Sequence, residues 1–218
     1  MQSRWQNTHS MLLNTFSKSL VIVPLLLLIV TFSTAQVAAS AESIAQIPLQ
    51  QGVQVGASYF AEGDTPQGGH GQPIDGIEGA SNEMLKNHVH VHLSIFYKGH
   101  QIAIPYGIGI IKPFRVVNGF VESGKGYYWL HTHDASGIVH IESPKDETYA
   151  LGNFFDIWGQ QLGTHNVAGF KGTLRTYVDG KFYFGDIRKI ALKEHTQIIL
   201  AVDSPLVFPI NYIFPDGL

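Results

Sequence analysis

The sequence predicts a mainly β fold of the α+β kind, in which antiparallel β-hairpins form a sheet, sandwich or grasp-like fold with one short helix near residues 148–162. Three observations predict it. Val89, Val91, Leu93 and Ile95 alternate with His88, His90, His92 and Ser94, the period of two expected of a strand with one buried face. Turn signals at Lys98-Gly99 and Asp179-Gly180 each separate two runs of strand-forming residues. Only residues 148–162 place large apolar side chains, Leu151, Phe154, Phe155, Trp158 and Leu162, at helical spacing.

Along the chain, residues 1–41 read as a signal peptide. Arg4 and Lys18 supply a positive segment, residues 19–32 form an apolar stretch, and Ala39-Ser40-Ala41 fits a small-residue cleavage site, with Thr34-Ala35 as an earlier, weaker one. An uncleaved anchor is the alternative, because residues 19–41 together approach spanning length. Either way the expected location is exported, periplasmic or extracellular, and the membrane is a partner only through this leader. Residues 42–82 are rich in Gly, Gln and Ala and read as a linker or irregular segment, and residues 83–218 as a single β-rich globular domain.

Within that domain the first hairpin runs through residues 89–104. The second takes Tyr127–His133 through Asp134-Ala135-Ser136-Gly137 and returns as Ile138–Glu142, with Pro144 ending it. The helix follows, with Thr148 or a neighbour as cap, although two glycines weaken it. The last third is strand again: Thr173–Val178, the Asp179-Gly180 turn, Lys181–Phe184 and Thr196–Val202.

Composition removes several chemistries. The formal net charge is −3, and it is two units more negative without Arg4 and Lys18, so there is no basic footprint for nucleic acid. Cysteine is absent, which excludes disulfides, thiolate zinc sites, iron–sulfur clusters and a cysteine-ligated copper centre. Met84 is the only methionine beyond the leader, which argues against a methionine-rich copper(I) carrier. No G-x-S-x-G, P-loop or dinucleotide fingerprint is present. Histidine is what remains, and all of it except His9 lies beyond the leader.

Strand geometry gathers these histidines. Side chains at i and i+2 share a face, so His131 and His133 point one way, and His88, His90 and His92 form a second row. An even-length loop puts His140 and Glu142 on the face of His131 and His133. A turn at Ala135-Ser136 sets His131 opposite His140; one at Ser136-Gly137 sets His133 opposite His140 and His131 opposite Glu142. Facing residues about 4.5–5.5 Å apart suit nitrogens that each reach about 2 Å to a shared ion. The expected metal ligands are therefore His131, His133, His140 and Glu142, with His90 and His92 completing the set if their strand packs alongside; Asp134 and Glu83 are expected to orient ring N–H groups. His88, His90 and His92 equally fit the solvent face of an amphipathic strand. His70, His100, His165 and His195 read as isolated surface or core histidines.

Tyr128-Trp129-Leu130-His131-Thr132-His133-Asp134, with Gly137–Pro144 and Leu151–Gly159 downstream, resembles an uncharacterised family of exported bacterial proteins, from about Gly76 through Leu218. That resemblance implies export and supplies no activity. Gly126–His133 is similar to a copper-ligand segment of multicopper oxidases, whose other three ligand segments and cysteine are missing here. An H-x-H also opens the cupin signature, but Glu142 comes too late after His133 for it and no second cupin motif follows. Both likenesses point to copper or another divalent metal.

The expected function is binding of a divalent transition metal, copper or zinc, for buffering, tolerance or delivery. One alternative is a metal-dependent enzyme, hydrolytic or oxygen-reactive, using the same residues. Another is a binding module whose aromatics Tyr127, Trp129, Phe154, Phe155 and Trp158 form a contact surface for a carbohydrate or protein.

Overall fold

The computed structural model describes residues 45–205 and 210–218. The leader expected over residues 1–41 lies outside the described residues. Among the described residues the fold is mainly β with one α-helix, as the alternation and the single helical stretch predict.

Its frame is a seven-stranded sheet around one long strand, β1 (Asn87–Tyr97). Lys98 and Gly99, both at positive φ (51° and 85°), turn β1 into β2 (His100–Ile102). That is the handedness a two-residue hairpin turn needs. β3 (Leu130–His131) and β4 (Ile138–Ser143) form the second expected hairpin, and β4 runs antiparallel to residues 87–92 of β1. β5 (Leu174–Val178) and β6 (Lys181–Tyr183) are joined by Asp179-Gly180, again both at positive φ, and β7 (Gln197–Val202) lies against β5. The order across the sheet is β6-β5-β7-β1-β4-β3, with β2 paired to β1.

One junction departs from the antiparallel expectation. β7 pairs with β1 in parallel, from Gln197 against His92 to Val202 against Tyr97. The long connection between these two strands, which includes the helix, permits what a hairpin cannot.

The helix α1 spans Leu151–Trp158 and is shorter than the expected 148–162. Thr148 does not cap it. Ala150 takes that position, and its N–H donates to Oδ1 of Asn153 at 2.9 Å. Gly159, at φ 71°, adopts the left-handed conformation that ends a helix and stops it a turn early. Leu151, Phe154, Phe155 and Trp158 are buried and pack on one face of the sheet against Leu130, Val139, Ile141, Val91, Leu93, Ile95, Ile198 and Leu200, forming the main core.

Residues 45–82 are largely irregular but are held to the domain. Gln46–Pro48 pairs in parallel with Asn211–Ile213, Gly79–Ala80 pairs with Gly126–Tyr128, and the N–H of Val55 donates to the carbonyl of Ala135 at 2.9 Å. Leu49, Ile138 and Tyr212 form a small apolar cluster that covers part of the sheet face away from the helix. Among the described residues, no helix is long and apolar enough to cross a membrane.

Candidate metal centre

The sheet face away from the helix carries histidines where the other face carries aliphatic side chains. On adjacent strands His131 stands directly across from His140, His140 across from His90, and Glu142 across from His88. The rings of His131 and His140 stack 5.5 Å apart and within 7° of parallel, as a directly opposed pair should. His133, just past the end of β3, comes back to the same group, its ring 4.9 Å from that of His131 and 4.8 Å from that of His140.

The register is the one that opposes His131 to His140. The loop is no tight two-residue turn, however, because residues 132–137 leave the ladder. Thr132 shows why they hold their place. Its hydroxyl donates to the carbonyl of Pro105 at 2.8 Å and accepts the N–H of Ile108 at 3.1 Å, while its own N–H donates to the carbonyl of Ile108. Pinned between the two histidines, Thr132 fixes both. Gly109 completes the clamp: at φ 68°, a Cβ there would lie 2.3 Å from the Leu130 carbonyl, so only glycine lets the 107–111 bend approach β3.

The ring nitrogens are oriented by backbone carbonyls. Nδ1 of His131 lies 2.9 Å from the Tyr128 carbonyl oxygen and Nδ1 of His133 lies 2.6 Å from that of Val121. A carbonyl only accepts, so both Nδ1 atoms carry hydrogen, which leaves Nε2 of each neutral ring with a lone pair. Those two Nε2 atoms face each other at 3.1 Å. Two lone pairs at that separation repel; a proton on Nε2 of His133, or a metal ion beside both nitrogens, removes the conflict. Nitrogens that each reach about 2.0–2.1 Å to one tetrahedral ion stand about 3.3 Å apart, close to what is seen. Carboxylate oxygen lies at hand: Oε1 of Glu83 is 3.3 Å from His133 Nε2, and Oε2 of Glu142 is 3.9 Å from His131 Nε2.

The electrostatics favour neutral, electron-donating rings. Burial, reinforced by the neighbouring His133, holds His131 down at about 3, and burial together with His88 holds His90 at about 4. Burial and its histidine neighbours likewise keep His140 well below the usual range. His133 goes the other way: burial pushes it down, but the Glu83 carboxylate and the Val121 carbonyl carry it above the ordinary value. The His133 contact in turn lowers Glu83, while burial and repulsion from Glu83 raise Glu142 to about 7. At neutral pH few protons therefore compete for the nitrogens of His131, His90 and His140, whereas His133 holds its proton more readily.

Donor atoms converge in overlapping groups, each within 4.8 Å: His131, His133 and His140; His88, His90, His140 and Glu142; and Glu83, His131 and Glu142. Such buried histidine and glutamate groups can bind a metal ion. Phe120 stacks on His133, with ring centroids 4.7 Å apart, and walls one side. A cavity of about 160 Å³ adjoins His140 and gives it an approach from outside.

Several expectations are corrected. His92 is on the expected face but is not in these groups. Its Nε2 donates to the Ser136 carbonyl at 3.0 Å, its ring stacks on Tyr212 at 3.8 Å, and its cross-strand neighbour is the apolar Ile138. Asp134 orients no ring; it accepts the N–H groups of Gly52 and Ser136 and the Ser136 hydroxyl, and so shapes the loop. Glu83 does face His133, its Oε1 3.3 Å from Nε2, and it also groups with His131 and Glu142, which makes it a ligand candidate as well as an orienting residue. Tyr127, Trp129, Phe154, Phe155 and Trp158 are buried in the domain, so they offer no contact surface to a carbohydrate or protein. The group also includes His88, whose place in the row His88-His90-His92 was the available signal. The Tyr128 and Val121 carbonyls carry no side-chain signature.

Compared with known proteins, the chain matches no family model, no curated protein and no solved structure.

Proposed function

We propose that this is an exported protein that binds a divalent transition metal, copper(II) or zinc(II), through His131, His133 and His140 with Glu83 or Glu142, for metal buffering, tolerance or delivery. One observation carries the reading: Nε2 of His131 and Nε2 of His133, aimed at each other by carbonyls behind each ring, stand 3.1 Å apart, close to the spacing of two ligands on one ion. Nitrogen with carboxylate oxygen suits copper(II) and zinc(II), and no thiolate competes for a softer ion. Export rests on the leader and on the resemblance to exported bacterial proteins, and the mass of the mature N-terminus tests it, cleavage after Ala41 being the expected result.

Calorimetric titration of the purified protein with copper(II) and with zinc(II) tests the binding. The expected outcome is a stoichiometric site for at least one of them that disappears in His131→Ala with His133→Ala; heats without a saturating site would refute the proposal. The cavity at His140 favours a second reading, in which a metal-bound water at an open position performs hydrolysis. Metal-dependent cleavage of an activated ester, lost in the same double variant, would select it.

A further inference from the structure

We infer that the site is binuclear: a second divalent ion binds at His88 and His90, and Glu142 bridges it to the ion at His131 and His133. The inference rests on the metal-binding reading above and extends it. Its basis is the direction in which the two carboxylate oxygens of Glu142 face. Oε1 lies 3.3 Å from Nε2 of His88 and 3.4 Å from Nδ1 of His140, whereas Oε2 lies on the opposite side, 3.9 Å from Nε2 of His131. A single ion would use one of these sets of nitrogens and leave the other against a bare carboxylate oxygen.

The buried atoms at this corner tell the same story. Nε2 of His90, Nδ1 of His140 and Oε2 of Glu142 are inaccessible to solvent and make no hydrogen bond, on residues that are all buried. Leaving such a group unpartnered costs about 1–3 kcal/mol, and native folds rarely tolerate three side by side. One ion at His131 and His133 can take up Oε2 of Glu142. It leaves His90 unanswered, because His90 groups with His88, His140 and Glu142 and not with the other two. A second ion there has His88 Nε2, His90 Nε2, His140 Nδ1 and Glu142 Oε1 as donors, four ligands of the type and number zinc(II) and copper(II) accept; His140 then serves this ion, and His131, His133, Glu83 and Glu142 Oε2 hold the first.

Sheet geometry explains how two such sites arise side by side. The rungs His90–His140 and His88–Glu142 stack along one strand pair, and the rung His131–His140 adds the third strand. Two ions held from adjacent rungs and spanned by one carboxylate would lie about 3.5–4 Å apart, the spacing of two-metal centres. His88 and Glu83 stand at the outer end of the group and are partly exposed, so an ion has a way in from that side.

Equilibrium dialysis of the purified full chain against zinc(II), with elemental analysis, gives the decisive count. Two ions per chain are expected in the wild type, and one in His88→Ala with His90→Ala, with the far-ultraviolet circular dichroism unchanged. Because His90 is buried, His88→Ala alone is the second variant: its ring is substantially exposed, and it should weaken the second ion at least tenfold while sparing the first. One ion in the wild type, or two that both variants leave intact, would overturn the binuclear centre and leave the single-site reading standing; none at all would remove that reading as well. The copper(II)-loaded protein adds a distance. At two equivalents its electron paramagnetic resonance should show spin coupling, with an isolated signal at one equivalent, whereas two uncoupled signals at full loading would contradict the Glu142 bridge.

Discussion

The two faces of the central sheet are made by the same strands and obey opposite rules. Toward the helix, Val91, Leu93, Ile95, Val139 and Ile141 meet Phe154, Phe155 and Trp158, and burial alone satisfies all of them except the indole N–H of Trp158, which has no partner. On the other face, one residue further along the same backbone, His90, His140 and Glu142 are as deeply buried yet have polar atoms without partners. The first face is held by apolar contact within the chain. The second gathers donor atoms that can hold a metal ion. The fold therefore separates its source of stability from its source of chemistry by the simple alternation of side chains along a strand.

If the helix-side face is the source of stability, damage to it should be costly and should leave the metal count unchanged. Phe154→Ala is expected to lower unfolding stability by about 3–5 kcal/mol, measured by urea denaturation, while the folded fraction still takes up its ions. A loss of binding with little loss of stability would invert the proposed division of labour. Next in size is the response of the metal-free histidine face to acid. Burial holds His92 at about 4 in the folded protein, against about 6.5 when unfolded. Its contribution is thus fully present above about pH 6.5 and is lost as the pH falls toward 4, about 3 kcal/mol in all. His90 and His131 act with the same sign. Urea denaturation in the presence of chelator, from pH 7 to 4, should follow this fall, and a flat profile would show that the rings are not buried as described.

Metal should act on the same face in the opposite direction. An ion at one hundred times its Kd stabilises the folded state by about 2.7 kcal/mol, so the melting temperature should rise by roughly 5–10 °C. That rise should shrink in His131→Ala with His133→Ala and survive in full in Phe154→Ala. Equal shifts in both variants would mean that the ion binds elsewhere.

How much of this could be read from the sequence follows from the same alternation. The hairpins at Lys98-Gly99 and Asp179-Gly180 were legible because a two-residue turn needs positive φ, which those residues accept. The cross-strand meeting of His131 and His140 followed from parity, since only one residue in two can share a face. The parallel pairing of β7 with β1 was not legible, because nothing local marks which distant strand will add to an edge. The fate of His92 was hidden for a similar reason. Its sequence setting matches that of His90, and the two differ only in that Tyr212 and the Ser136 carbonyl, both remote in the chain, occupy the ring of one and not of the other. Helix length was misjudged because apolar spacing continues to Leu162 past a glycine whose left-handed conformation ends the helix.

The smallest expected effect on stability is the most informative about how the two faces are joined. Thr132 lies between His131 and His133 and points away from them, so it contacts no donor atom of the candidate centre. Thr132→Val keeps the shape of the side chain but removes the hydroxyl that holds the Pro105 carbonyl and the Ile108 N–H. It should cost about 1–2 kcal/mol in unfolding stability. If the pair of Nε2 atoms is held at its short separation by this clamp, copper(II) or zinc(II) affinity should also fall, by about tenfold, with the number of ions bound unchanged. A loss of stability with unaltered affinity would show instead that the Tyr128 and Val121 carbonyls suffice to aim the rings. In that case the chemistry of the histidine face would be independent of what the strand does behind it.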